Sequence, residues 1–166
     1  LALPKPHRLS DLQIPDNPFI IVLEAVEKPG NLGAILRTAD AARANAVVVC
    51  DPLTDIYNPN IIRSSVGCLF AVPVAVGTNE ETLTFLQNHH IQTFAAELTA
   101  DQQYQDTDFT FPSAIIMGTE ADGLTPFWLN HTDKRIKIPM RGLIDSLNVS
   151  VSTAILTFEA MRQRGF

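Results

Sequence analysis

Between Arg63 and Lys134 the chain contains no lysine or arginine, although nine acids fall in that interval, from Glu80 to Asp133. Such a middle section cannot grip phosphate. With a net charge of −6, the chain also lacks the basic excess usual in nucleic-acid binders. All twelve bases lie in residues 5–63 and 134–164, so a basic face requires those two segments to meet in space. Cysteine is equally scarce. Cys50 and Cys68 are too few and too poorly spaced for a disulfide framework or a zinc site, and both sit beside apolar segments, as small buried thiols do. No apolar run approaches the roughly 18 residues of a membrane span, and no basic region followed by an apolar core opens the sequence. A cytoplasmic protein with no membrane partner is the expectation. The nucleotide fingerprints G-x-G-x-x-G and G-x-x-x-x-G-K-[ST] are missing, as are internal repeats. His89-His90 has no Cys, Asp or Glu at ligand spacing, so no metal is expected.

What is present fits one α/β domain. At 166 residues and 46% hydrophobic composition the chain can bury a single core. Residues 1–18 hold four of the eleven prolines and read as an extended connector, because proline fixes φ and biases its predecessor away from helix. From residue 19 strands and helices alternate. Strands are expected at Phe19–Val26, Ala46–Cys50, Ala71–Gly77, Ile91–Leu98, Ser113–Gly118 and Arg135–Met140. Helices are expected at Asn31–Ala44, near Pro59–Val66, at Asn79–His89, Pro126–His131 and Asn148–Arg164, with Asp101–Pro112 as a loop. Short continuous apolar strands between helices imply a mostly parallel sheet covered on both faces. In the last helix Leu147, Val151, Ala154, Ile155 and Phe158 form a stripe that reads as core packing. Phe127 and Trp128 read as core or interface aromatics.

Three blocks carry the chemistry. Asn31-Leu32-Gly33-Ala34-Ile35-Leu36-Arg37-Thr38-Ala39 opens a helix whose first residue, Asn31, is expected to cap it. Arg37 is expected to lean back over Gly33, the glycine leaving a gap for it or for a ligand; the alternative is a surface ion pair with Asp40. Met117-Gly118-Thr119-Glu120-Ala121-Asp122-Gly123-Leu124 follows a strand, where Gly118 permits close approach by a ligand. Ile138-Pro139-Met140 and Ser146-Leu147-Asn148-Val149-Ser150 bracket a loop at the entrance to the last helix. Both later blocks fall at carboxyl ends of strands, where open α/β sheets bind ligands.

In this order and spacing the blocks resemble the three motifs of the SpoU/TrmH family of RNA ribose 2′-O-methyltransferases, within the knotted SPOUT superfamily, over roughly residues 19–166. The resemblance implies a C-terminal trefoil knot and S-adenosylmethionine as cofactor, bound by Gly118, Ile138, Met140 and Leu147. It implies Arg37, Asn31, Glu120, Ser146 and Asn148 as the catalytic set, with Arg37 acting at the ribose 2′-hydroxyl. Arginine stays protonated, so orientation and electrostatic stabilisation of the alkoxide suit it better than general-base chemistry. Arg63 and Arg141 are the expected RNA contacts. The substrate is expected to be rRNA or tRNA, with rRNA favoured, and the assembly a homodimer. Where the family usually has glycine, this chain has Ala121. Residues 1–18 are expected to link the domain to a missing N-terminal RNA-recognition domain. The rivals are a base-modifying enzyme of the same superfamily and a non-catalytic RNA-binding module that retains the fold.

Overall fold

The structure is a computed structural model that describes residues 7–165. Among these, seven strands form one parallel sheet: β1 (Phe19–Glu24), β2 (Ala46–Cys50), β3 (Val74–Gly77), β4 (Gln92–Ala96), β5 (Gln102–Gln103), β6 (Ser113–Met117) and β7 (Lys134–Lys137). Their order is β3-β2-β1-β6-β4-β7-β5. The central strands are buried on both faces, which is why they read as unbroken apolar runs. Alternate residues separate cleanly. Phe19, Ile21 and Leu23 join one core layer, while Ile20 and Val22 join the other.

The first layer is covered by α1 (Pro29–Ala41), α2 (Pro59–Ser64) and α5 (Val149–Gln163), the second by α3 (Asn79–Asn88) and α4 (Pro126–His131). Trp128 is wholly buried in the second layer, its indole donating to Asn79 Oδ1 at 2.6 Å. It is a core aromatic and offers no surface to a partner. Leu9, Leu12 and Ile14 pack half-buried on the same layer. His7 O accepts from Val76 N at 2.7 Å, so the described part of the expected connector lies against the domain, with a 3-10 turn at Leu9–Asp11. Residues 1–6 lie outside the described residues.

Four expectations need correction. Helix α1 starts at Pro29 with Lys28 at the cap position, because proline is preorganised for a first helical turn; Asn31 is therefore not the cap. Within the expected loop 101–112, Gln102–Gln103 pairs with β7, and a 3-10 turn follows at Tyr104–Asp106. Strand β7 stops at Lys137, short of Pro139, which has no N–H to give a ladder. The stripe assigned to the core in α5 lies at its outer side: Val151 and Phe158 are 47% and 44% exposed and Leu147, Ala154 and Ile155 half-buried, whereas Val149, Thr153, Leu156, Thr157, Ala160 and Met161 are buried. The helix is apolar on two sides, and periodicity alone cannot say which one faces its own domain.

Candidate active site

The expected meeting of the first and third motif segments takes place, since α1 packs against α5. Asn148 caps α5: its Oδ1 accepts from Ser150 N at 2.9 Å and from Ser150 Oγ at 2.5 Å. Its Nδ2 donates to Asn31 Oδ1 at 3.1 Å and also to Glu120 Oε1. All the hydrogen-bonding capacity of this amide is used, so capping and clustering are done by one side chain. The other carboxylate oxygen of Glu120 is bound by Lys28 Nζ. Lys28 holds the Glu120 carboxyl below its usual range, partial burial opposes this, and Asn31 adds to the lowering. Nothing in the sequence pattern singled out Lys28. Its signal was positional: it immediately precedes the proline that starts α1.

The loop after β6 is a tight hairpin. Thr119 N donates to Gly123 O at 3.0 Å and Gly123 N to Thr119 O at 3.2 Å, with Gly123 at φ +70°. A Cβ on Gly118 would lie 2.2 Å from the Gly123 carbonyl carbon. The chain's own backbone thus already requires a glycine here. At Gly33 the expected gap needs correction. A Cβ there would meet Ser64 Oγ at 2.0 Å, so the gap is filled by α2 and not by Arg37. The base of the hairpin is fastened by Glu24, a buried carboxylate at the end of β1. It accepts from Thr125 N at 2.8 Å, Thr125 Oγ1 at 2.6 Å and Asn79 Nδ2 at 2.9 Å.

Thr119, Glu120, Ala121 and Asp122 form a wall between two cavities. One, about 410 Å³, lies at the carboxyl ends of β4, β6 and β7 and is lined by Gly118, Ile138, Met140 and Leu147, with Leu98 and Met117 among its apolar walls. The other, about 290 Å³, is lined by Glu27, Lys28, Asn31, Glu120 and Asp122. A larger groove of about 930 Å³ at the β3 edge, between His7, Tyr57 and Phe70, is lined by none of the three motif blocks. Ser146 sits on the rim of the first cavity, with its hydroxyl on Asp145 Oδ1 at 3.2 Å, apart from the Asn31–Glu120–Asn148 cluster. Arg37 is also apart. It lies about 9 Å along α1 from Asn31 and about 120° round the helix, is exposed, and makes no ion pair with Asp40. Arg63 is exposed and bonded to Asn60 Oδ1 at 3.4 Å, and Arg141 is exposed in the loop before α5. Three other bases are committed to structure. Arg164 donates to backbone carbonyls including those of Phe109 and Asn17, Arg162 pairs with Glu159, and Arg135 caps the Leu129 carbonyl.

The first cavity suits a cofactor with an apolar ring system and a positive centre. Its volume is within the range of small-molecule sites, its walls are largely apolar, and Glu97, Glu120, Asp122 and Asp145 outnumber the single base of the lining, Lys137. Glu97 Oε2 is buried without a hydrogen-bond partner, 3.7 Å from Arg135 Nη1, and can accept from an entering donor.

A parallel α/β sheet with cavities at the carboxyl ends of its strands has them where open sheets of this class bind ligands. Residues 18–158 match the model of the SpoU rRNA Methylase family, and the chain belongs to that family. It is similar to the 23S rRNA (guanosine-2′-O-)-methyltransferase RlmB of Pectobacterium atrosepticum, 37% identical over 96% of this chain and 65% of the relative. It is also similar to the protein of the same name from Escherichia coli K12, 39% identical over 90% and 62%. The chain thus spans less than two thirds of the length of these relatives. Among solved structures, an RNA 2′-O ribose methyltransferase superposes with a TM-score of 0.86 at 40% identity, covering 93% of this chain and 59% of that one. An AdoMet-bound rRNA methyltransferase from Sinorhizobium meliloti gives 0.89 at 31%, covering 95% and 61%.

Proposed function

We propose that this chain is the catalytic domain of an S-adenosylmethionine-dependent methyltransferase that acts on a ribose 2′-hydroxyl of ribosomal RNA, in the cytoplasm, as a homodimer. The observation that carries the reading is the shared wall: one loop divides an apolar cavity from a polar cleft, and Asn31, Glu120 and Asn148 meet on it. S-adenosylmethionine supplies an electrophilic methyl group when bound. Gly118, Ile138, Met140 and Leu147 hold it in the larger cavity, with Ser146 at the rim. Asn31, Glu120 and Asn148 fix the wall against which the ribose is placed, and their value is positional. Arg37 orients the ribose and stabilises the developing alkoxide. Because Arg37 stands apart from the cluster of its own chain, a second copy delivers it. The outer apolar face of α5, with Val151 and Phe158 exposed, supplies the two-fold contact. Threading of α5 through a knot, an upstream RNA-recognition domain joined through residues 1–18, and phosphate contacts from Arg63 and Arg141 complete the proposal.

The test is methyl transfer from labelled S-adenosylmethionine to 23S rRNA transcribed in vitro, followed by nuclease digestion and mass spectrometry. Label on a ribose is expected. Label on a base would overturn the ribose assignment, and cofactor binding without transfer to this RNA would overturn the activity.

A further inference from the structure

We infer that Lys28 is an RNA-contact residue, exchanging Glu120 for a backbone phosphate next to the target ribose when RNA enters the smaller cleft. The inference rests on the ribose methylation reading. The cleft presents three carboxylates, Glu27, Glu120 and Asp122, and a single base, Lys28. Among the residues lining this cleft, that ammonium group alone carries a charge that attracts a phosphate. Lys28 is built to turn to one. Its backbone is fixed, in extended conformation, by the proline that opens α1, while its side chain is 68% exposed on a flexible stem that carries a point charge. Gly30, between the helix-opening proline and Asn31, leaves open space where a side chain would otherwise stand.

The exchange also leaves the cluster intact. Glu120 keeps Asn148 on its other oxygen, so losing Lys28 to the phosphate does not release the wall. Before RNA arrives, the Lys28–Glu120 pair neutralises a carboxylate that would repel the substrate. Once RNA is in place, the same ammonium neutralises the phosphate, and Glu120 can accept from the substrate or from Asn31. No bond to carbon is made or broken in this step, and no proton need move.

The experiment measures filter binding of the full chain to the in vitro 23S rRNA transcript over a salt series, for wild type, K28R, K28M, E120Q and the double variant K28M/E120Q. Loss of one phosphate contact should make the slope of log affinity against log salt shallower by about 0.7–0.9 in K28M, with K28R close to wild type. S-adenosylmethionine affinity should stay within about twofold, and KM for RNA should rise more than kcat falls. The K28M loss should persist in the E120Q background. If it vanishes there, Lys28 acts only by neutralising Glu120 and the inference is overturned. An unchanged slope in K28M overturns it too, while methyl transfer to ribose by the wild-type chain would leave the functional reading standing.

Discussion

The two cavities on either side of loop 119–122 are built in different ways. The larger is shaped by backbone and apolar side chains at three strand ends, and every residue the motifs assigned to it lines it. The smaller is lined mainly by charged and amide side chains from the start of α1 and the wall, with the α5 cap Asn148 bonded to two of them, Asn31 and Glu120. There the motifs found Asn31, Glu120 and Asn148, missed Lys28, and pointed to an Arg37 that stands elsewhere on its helix. A pocket made by chain geometry is specified locally, because glycines and a proline at fixed positions dictate where the backbone goes. A cluster of side chains is specified by long-range packing, and in this protein one of its members belongs to a second chain under the proposal above.

That contrast can be broken most forcefully at Gly118, which serves both sides. Gly118→Val forces a Cβ into the Gly123 backbone, so the wall must move. Cofactor affinity should fall by at least about 100-fold and stability by about 1–3 kcal/mol, as for overpacked cores. Calorimetry and thermal melting would check both, and normal cofactor affinity in a folded variant would refute the backbone account. Arg37→Ala separates the sides. Methyl transfer should drop by about 10²–10³, as on removal of a charge-stabilising donor, with cofactor affinity within about twofold. Mixing equal amounts of Arg37→Ala and Asn148→Ala chains should recover about a quarter of wild-type activity if the arginine is delivered across a two-fold axis. No recovery in a mixture shown to exchange subunits would place Arg37 and Asn148 in one chain's site.

A finer cut is Asn148→Asp. Aspartate still caps α5 but cannot donate to Asn31 or Glu120, and it sets a second carboxylate beside the first. Helix content should hold while transfer falls by at least about tenfold; equal activity would show that the cluster contributes only its cap. The smallest effect concerns acid. Glu120 is held below its ordinary range chiefly by Lys28. A depressed carboxyl contributes stability above its unfolded value, and that contribution is lost as pH falls through the folded value. Lys28→Met should therefore shift the Glu120 titration, followed by carboxyl carbon NMR, upward toward the ordinary carboxylate value. A titration that does not move would show that the ion pair is not formed in solution.

Strand existence was legible almost throughout, because β1, β2 and β6 are unbroken apolar runs buried on both faces. The exception, Gln102–Gln103, is polar and only two residues long, and carries no period to detect. At the two motif glycines the sequence leaves the neighbour open. Pattern shows that a Cβ is unwelcome at Gly33 and Gly118, while only coordinates show that Ser64 and Gly123 occupy the space. The faces of α5 were inverted for a related reason. Both are apolar, and what distinguishes them is where Thr153 and Thr157 are buried. Thr153 satisfies its hydroxyl on the Val149 carbonyl at 2.7 Å, an option that hydropathy does not register.

The bond between Asn148 and Asn31 spans 117 positions of the chain. On a ribosome working at 5–20 residues per second, that separation is on the order of ten seconds of synthesis. During that interval β1 and β2 can pair, yet β1 lacks its other neighbour, β6, and α1 stands with its cluster residues unmatched. The Asn31–Glu120–Asn148 cluster is therefore among the last things this polypeptide acquires. A nascent or truncated chain that stops before Asn148 has all seven strands of the sheet but cannot complete the cluster.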